Sequence, residues 1–200
     1  MLRVILFILA ICIGATGFFE SGLSLAADSV LALPAPDRSG GIPLMRALNE
    51  RRTDRGISSE ALSNADLSNL LWAAWGINRS DGRRTIPTAR GKQDINLYLA
   101  IENGVWLYEA KEHRLRQVLP EDYRGRFGNA AVTLLFASPA DDPFAGMHIG
   151  SMYQNAGLYC ASAGLANVVK ASGTDVLAKK LPLPAGYKIF IVQSIGHPKK

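Results

Sequence analysis

The sequence predicts an α+β fold. Two alternating apolar runs flank an Asn-Gly dipeptide, which is a strong signal for an antiparallel hairpin. Helical patterns are mixed with this hairpin and with separate strands late in the chain. Of the 200 residues, the first 26 resemble a targeting segment, and the remaining 174 or so are the length of one domain.

The N-terminal residues predict export. Residues 1–26 have Arg3 before an apolar run and then small residues, which is the composition of a secretory signal peptide. The apolar run is nearly long enough to span a bilayer, so an uncleaved membrane anchor is the alternative. We expect an exported, periplasmic protein with an irregular arm at 27–42, rich in Pro, Ala and Gly, and a folded domain at 43–200.

Two helices and a long loop are predicted before the hairpin. The first helix begins in PLMRALNERR, with Pro43 in its first turn. The second has Asn64 as a candidate cap, apolar residues at helical spacing, and Gly76 at its end. Residues 77–94 show almost no apolar periodicity and are expected to form a loop that carries five basic residues.

The second half of the chain contains most of the predicted strands. The turn Glu102-Asn103-Gly104 joins the two strands of the hairpin, and HRLRQVLPEDYRG is expected to mix a strand end with a short helix. Residues 130–137 predict a buried strand. Residues 147–164 lack a charged residue and end in glycine, which predicts a buried helix that another helix or a ligand can approach closely. The remaining predicted elements are a strand in LANVV, a helix in DVLAKKL and a final strand in YKIFIVQSIG.

Ordinary catalytic side chains are poorly represented. Cys160 is alone in the mature chain, within an apolar helix, and is expected to be a buried, inert thiol. The three histidines are far apart and lack the spacing of a helical metal site, so we expect no metal. Neither a nucleophile elbow, a Walker loop nor a G-x-G-x-x-G motif after a strand occurs. This pattern assigns the chemistry to a cofactor.

Basic residues suggest an anion site. The net charge of +5 could favour nucleic acid, but the basic residues form no long block and no nucleic-acid motif occurs, so we expect no nucleic-acid partner. Three groups of basic residues would bind a phosphorylated ligand if the fold brings their hydrogen-bond donors together. The alternative is that each group lies on the surface and is only solvated. The basic groups are Arg51, Arg52 and Arg55 at a helix end, the loop 83–93, and Lys199 and Lys200 at the C-terminus.

The loop also has uncharged residues suited to a ligand. Thr88 and Gln93 add polar side chains. Pro87 restricts the backbone at the start of the loop, and Gly91 lets the backbone approach a ligand.

Five motifs occur in the order ERRTDR, LLWAAWGI, RRTIPTARGKQDINLYLAIENGVWLYEA, YQNAGLYCASAGLANVV and IGHPKK. This series, within residues 43–200, resembles the nitroreductase family of flavin enzymes. It is most similar to the small branch with a P-S-A-x-N-x-Q-type loop, some members of which are dehydrogenases of peptide-derived substrates. The resemblance implies a mostly antiparallel sheet flanked by helices, in an intertwined homodimer with one FMN per subunit at the interface.

The resemblance also implies the cofactor-binding residues. The family's Arg-Arg-Ser-x-Arg segment holds the flavin phosphate, ribityl chain and pyrimidine edge, and the segment at 168–171 would run beside the isoalloxazine. The helix 147–164 would form the dimer core, with Gln154 and Asn155 bonding between subunits. Gly91 stands where the family has a flavin-contacting asparagine. The implied FMN-binding residues are Arg51, Arg52, Thr53, Arg55, Pro87, Thr88, Ala89, Gly91, Gln93, Val169, Lys170, Lys199 and Lys200.

The implied activity is that of an FMN-dependent oxidoreductase without a catalytic side chain. It would transfer hydride or electrons by a ping-pong mechanism from NAD(P)H or another reductant to a small organic acceptor, such as a nitroaromatic or a quinone. The alternative is an exported flavin-binding or scaffold protein without turnover, because Gly91 departs from the family and NAD(P)H is scarce outside the cytoplasm. The sequence does not identify the substrate.

Overall fold

The computed structural model describes residues 29–199, so the predicted signal segment and Lys200 lie outside the described residues. The α+β prediction is confirmed: helices flank a seven-stranded sheet in the order β1-β4-β3-β2-β5-β7-β6, whose neighbours are all antiparallel. The strands are β1 (Val30–Ala32), β2 (Asn96–Ile101), β3 (Gly104–Glu109), β4 (Arg114–Leu119), β5 (Val132–Pro139), β6 (Ala166–Lys170) and β7 (Tyr187–Gly196). The helices are α1 (Leu44–Glu50), α2 (Asn64–Trp75), α3 (Ala145–Ala163) and α4 (Thr174–Ala178), with 3₁₀ turns at Ala89–Gly91 and Arg124–Phe127.

Strand β5 is buried on both faces of the sheet, as its unbroken apolar run predicts. Leu134 and Phe136 point into the core formed with α2 and α3. Leu135 and Ala137 belong to the cluster on the opposite face, which includes Leu177 of α4. Successive side chains of a strand point to opposite faces, so a continuous apolar run fits a strand that is covered on both sides.

The arm preceding α1 is more ordered than predicted. Its residues Val30–Ala32 form β1 and pair with β4, which is a full six-residue strand and not a strand end. The carbonyl of Pro34 then accepts hydrogen bonds from Ser68 Oγ at 2.6 Å and His113 Nε2 at 3.0 Å. Strand β4 would otherwise present an unpaired edge, and backbone polar groups of that edge are satisfied by the arm.

Helix α3 makes a polar contact with the loop and with α2. Asn155 Nδ2 donates to the carbonyl of Ala73 at 3.1 Å and to that of Thr85 at 3.5 Å. The amide therefore ties α3 to α2 and to the middle of the loop 77–94 within one chain, and its expected role between subunits stays a prediction. The periodicity of α3 identifies a buried helix but not which neighbour faces each residue.

The cap of α2 also differs from our prediction. Asn64 is the first helical residue, and Ser63 is the N-cap. Ser63 Oγ accepts the N–H of Asp66 at 3.0 Å and donates to its Oδ2 at 2.6 Å. This reciprocal pair satisfies a backbone donor of the first turn, and the Asp66 carboxylate lies at the positive end of the helix. Within residues 29–199, no helix combines the length and apolar character needed to cross a membrane.

Replacing Ser63 with alanine should lower the free energy of unfolding by about 1 kcal/mol, because the N–H of Asp66 loses its acceptor. The measurement is urea unfolding followed by tryptophan fluorescence at a fixed protein concentration. The neighbouring exposed substitution Asn64→Ala is the matched control and should change stability by less than about 0.5 kcal/mol. An equal or larger loss in Asn64→Ala would contradict this assignment of the cap.

Candidate functional site

The segment that follows α1 is bonded to the C-terminal end of the chain. Ser58 donates its N–H to the carbonyl of His197 at 2.8 Å, and Lys199 donates to the carbonyl of Gly56 at 2.7 Å. Ile57 and Pro198 form an isolated bridge between the two segments. Residues about 140 positions apart are thus held side by side by backbone hydrogen bonds, which have defined direction and length.

These bonds bring basic side chains to one cavity of about 190 Å³. We refer to it as the cationic cavity, and its lining residues are Arg55, Ile57, Phe127, Gly128, Ala130, Val168, Lys170, Ser194 and Lys199. Among these described residues there is no carboxylate. Burial lowers the pKa of the Lys170 ammonium, which donates a hydrogen bond to the carbonyl of Phe127. Three cationic side chains around one small cavity make a site suited to an anion.

The other two arginines of the segment do not line this cavity. The aliphatic stem of Arg51 passes over Gly157 of α3, where an added Cβ would lie 3.7 Å from its Cγ and Cδ. Arg52 lines a second cavity of about 450 Å³, whose lining also includes Glu50, Asp54 and Asn167. Gly157 therefore lets the segment after α1 approach α3 closely.

The three arginines of this segment have no carboxylate partner within the described chain. Arg46, in α1, forms an ion pair with Glu50 at 2.7 Å. Across residues 29–199, neither Arg51, Arg52 nor Arg55 forms a salt bridge. No carboxylate oxygen of the described chain therefore lies within 4 Å of their guanidinium nitrogens.

Strand β6 carries two of the predicted site residues, Val169 and Lys170, and lies at the edge of the sheet. The carbonyl of Asn167 points away from β7 and accepts the N–H of Asp54 at 2.8 Å. In an antiparallel ladder the direction of the backbone groups alternates, so the N–H of Val169, two residues on, also points away from β7. The edge beside the cationic cavity therefore presents a backbone donor outward.

The loop after α2 lines a cavity of its own. Four predicted residues, Pro87, Thr88, Gly91 and Gln93, surround a volume of about 540 Å³ together with Arg79, Asp81, Arg83, Arg84 and Ile86. Gln93 Oε1 accepts the Nε–H of Arg84 at 2.8 Å, and burial lowers the pKa of that guanidinium. No described residue lines both this cavity and the cationic cavity. Within one chain, the cationic cavity brings together Arg55 of the arginine segment and Lys199 of the C-terminal end. The basic residues of the loop line a separate cavity.

Gly91 has a backbone conformation that glycine and asparagine can both adopt. Its φ is +69°, in the left-handed region, and a Cβ added there would meet no heavy atom within 4 Å. Arg90 before it also has a positive φ, of 57°. Glycine adopts this region freely, and asparagine does so more readily than most other residues. The same backbone therefore accommodates either glycine or the asparagine of the family.

One cluster of titratable groups was not identified from the sequence. Asp94, Asp142 and His148 each bring a possible ligand atom to within 4.8 Å of the others. However, His148 Nε2 accepts the N–H of Ala89 at 2.7 Å, so the proton of the neutral imidazole is on Nδ1. A metal at Nδ1 would require a fully deprotonated ring, so the donor set does not favour a metal ion. No local spacing signals this cluster, because the partner of His148 is a backbone N–H 59 residues away.

The pKa values of Asp142 and Cys160 shift in opposite directions, although burial acts in the same direction on both. Burial disfavours the charged carboxylate of Asp142, yet hydrogen bonds from Lys92 Nζ and the N–H of Phe144 hold its pKa below the ordinary value. Burial alone raises the pKa of the Cys160 thiol well above its ordinary value. A thiol in that state is a poor nucleophile, which agrees with the prediction that Cys160 is inert.

The chain is similar to several known proteins. A crystal structure of a candidate nitroreductase from Ralstonia eutropha has a TM-score of 0.79 and 34% identity, and covers 86% of this chain and 90% of its own. A candidate nitroreductase of Methanocaldococcus jannaschii is 27% identical, with 74% of this chain and 92% of the relative covered. A candidate nitroreductase from Desulfovibrio desulfuricans, solved in complex with FMN, has a TM-score of 0.56 at 17% identity and covers 80% and 89%, which shows a shared fold.

The nitroreductase family model matches residues 48–197, from the end of α1 to the residue after β7. This range contains the arginine segment, the loop, α3 and the edge strand β6. The chain therefore belongs to the nitroreductase family.

Proposed function

We propose that the protein is an FMN-dependent oxidoreductase. The observation that carries the proposal is the cationic cavity, in which Arg55, Lys170 and Lys199 meet without a carboxylate among the described lining residues. A phosphate dianion would supply the charge that this site lacks, and charge-assisted hydrogen bonds from several donors would offset its desolvation. Bound FMN would supply two-electron redox chemistry between a donor and an acceptor.

The chain's own residues would bind and orient this cofactor. Arg55, Lys170 and Lys199 would hold the phosphate, with Lys200 as a further contact. Arg51, Arg52 and Thr53 would contact the ribityl chain and the pyrimidine edge, where fixed positive charge favours added electron density. The outward N–H of Val169 would donate to the ring system. These roles follow the family resemblance, and they are supported by the proximity of the segments in the fold.

We further propose that the site is completed in a homodimer. Leu44, Met45 and Leu48 of α1 are 64%, 74% and 44% exposed, and Met147 of α3 is 54% exposed. A group of exposed apolar side chains on two packed helices is typical of an interface. In one chain, no loop residue lines a cavity together with Arg51, Arg52 or Arg55. The loop residues, including Ala89, would therefore contribute to an FMN site across this interface.

The substrates and the compartment are also proposals. Electrons would pass by a ping-pong mechanism from NAD(P)H or another reductant to a small organic acceptor, such as a nitroaromatic or quinone. The composition of residues 1–26 supports export to the periplasm, or anchoring in the membrane if the segment is not cleaved. Detection of yellow protein in the periplasmic fraction would test the compartment and the cofactor together.

The test of the proposed function begins by refolding the chain without residues 1–26 in the presence of FMN. We expect a yellow protein with a flavin absorption spectrum and the mass of a dimer. Stopped-flow mixing with NADH, NADPH or dithionite then separates an enzyme from a binding protein. Reduction by dithionite but by neither nicotinamide would favour the scaffold alternative, and a colourless monomer would refute the proposal.

Arg51→Ala and Arg55→Ala should each weaken FMN binding by about 2 kcal/mol, roughly 30-fold, because each removes a charge-assisted contact. The measurement is quenching of FMN fluorescence on titration with protein. Arg46→Ala is the matched control, since Arg46 is in the same region but is paired with Glu50. Its affinity should stay within about twofold of the wild type. Unchanged FMN affinity in both test variants would show that these arginines are exposed to solvent and do not bind the cofactor.

Gly91→Asn should preserve or improve FMN binding, by up to about tenfold, because it restores the family side chain in a conformation that asparagine tolerates. Gly91→Val is the contrasting variant. A β-branched residue at φ +69° is strained, so this loop should distort and bind FMN more weakly. The same titration measures both. Weaker binding by Gly91→Asn than by Gly91→Val would contradict the role of the loop.

A further inference from the structure

We propose that His148 is a positioning residue that holds the FMN-binding loop in its bound shape through the backbone N–H of Ala89. This inference rests on the proposed function. His148 lies in the first turns of α3 and is fully buried. Its role is therefore to orient the loop from beneath, without contact with the substrate.

Three closely spaced loop residues contact the start of α3 and the segment before it. Ala89 donates its N–H to His148 Nε2 at 2.7 Å, and Lys92 Nζ lies 3.1 Å from Asp142 Oδ1. The guanidinium of Arg90 lies over the ring of Phe144, 5.7 Å from its centre. That ring stacks on His148 with centroids 6.3 Å apart and an interplanar angle of 30°. The loop is thus fastened by a backbone, an ionic and an aromatic contact to one short segment.

The tautomer of His148 makes this contact specific. Because Nε2 accepts from Ala89, the ring must carry its proton on Nδ1. Nδ1 is buried and points towards Asp142 Oδ2, at 4.0 Å, and neither atom has a direct hydrogen-bond partner within the described chain. Asp94 Oδ1 is a third buried atom of this kind. One bridging water would satisfy all three, accepting from Nδ1 and donating to the two carboxylates.

The conformation of the loop explains why such a contact is needed. Arg90 and Gly91 both have positive φ angles, of 57° and 69°. An arginine in the left-handed region relaxes to other conformations unless its surroundings hold it. Ala89 directly precedes these two residues. Its hydrogen bond to His148 therefore holds the backbone at the start of the left-handed turn. Loss of the acceptor would release the turn that presents Thr88, Gly91 and Gln93.

The direct test is an NMR measurement on the ¹⁵N-labelled purified protein. We expect the ¹⁵N shifts of His148 to show a protonated Nδ1 and an unprotonated Nε2. A scalar coupling between the Ala89 nitrogen and Nε2 across the hydrogen bond should also be observed. This readout reports the hydrogen bond whether or not FMN binds. A proton on Nε2, or no coupling in the presence of a well-resolved Ala89 signal, would overturn the proposal.

The functional test compares two substitutions of similar size. His148→Gln keeps an acceptor near the position of Nε2, whereas His148→Leu removes it. We expect His148→Leu to weaken FMN binding by about tenfold or more and to speed amide exchange at Ala89, while His148→Gln stays within about threefold on both. His113→Leu is the control, because it removes a histidine that is bonded to Ser68 and Tyr108 and not to Ala89, and it should leave FMN affinity unchanged.

Each outcome of this comparison decides between the alternatives. Equal FMN affinity in the Gln and Leu variants, whether retained or lost, would overturn the positioning role. If the wild type bound no FMN, the proposed function would fail. The positioning role of His148 would then be tested by amide hydrogen exchange at Ala89 alone. Equal exchange rates in the wild type and His148→Leu would overturn that role. Should His148→Leu not fold, the NMR coupling and His148→Gln still decide the question.

Discussion

The structure depends on backbone hydrogen bonds that hold the segment after α1 between strand β6 and the C-terminal end of the chain. Asp54 donates to Asn167, Ser58 to His197, and Lys199 to Gly56. Like charges in one small cavity repel each other, by ~1 kcal/mol per pair at about 4 Å even in bulk water. Directional backbone bonds keep Arg55 and Lys199 together despite this repulsion, so the fold itself assembles the positive charge of the cavity.

The same arrangement leaves a sheet edge open next to the assembled charge. Strand β6 has β7 on one side only, and the residue before its midpoint uses its outward carbonyl to anchor Asp54. An open edge invites uncontrolled pairing with other chains, and natural proteins cover or block such edges. A cofactor bound at this edge, as proposed, would provide such cover.

The loop shows how tertiary contacts give a definite shape to a segment with little local preference. Residues 77–94 lack apolar periodicity, yet they are tied down by His148, Asp142 and Asn155, which all come from α3 or the connector before it. These contacts use backbone groups and charges, and so they leave no pattern in the loop's own sequence. The result is a loop whose left-handed residues are held by a rigid helix.

Local features were determined by the sequence alone. The hairpin at Asn103-Gly104, the strand near 132–139 and the helix near 145–163 follow from periodicity and turn chemistry, which act between neighbouring residues. The tight grouping of three arginines within five positions is local as well, and it was sufficient to suggest an anion site.

Tertiary structure decided the features that depend on distant residues. It placed Lys199 beside Arg55, turned Asn155 towards Ala73, and ordered Val30–Ala32 against β4. It also separated the loop from the arginines within one chain. A hydrogen bond or an edge pairing is available only once the fold has brought its two groups within about 3 Å, and no spacing along the chain encodes that distance.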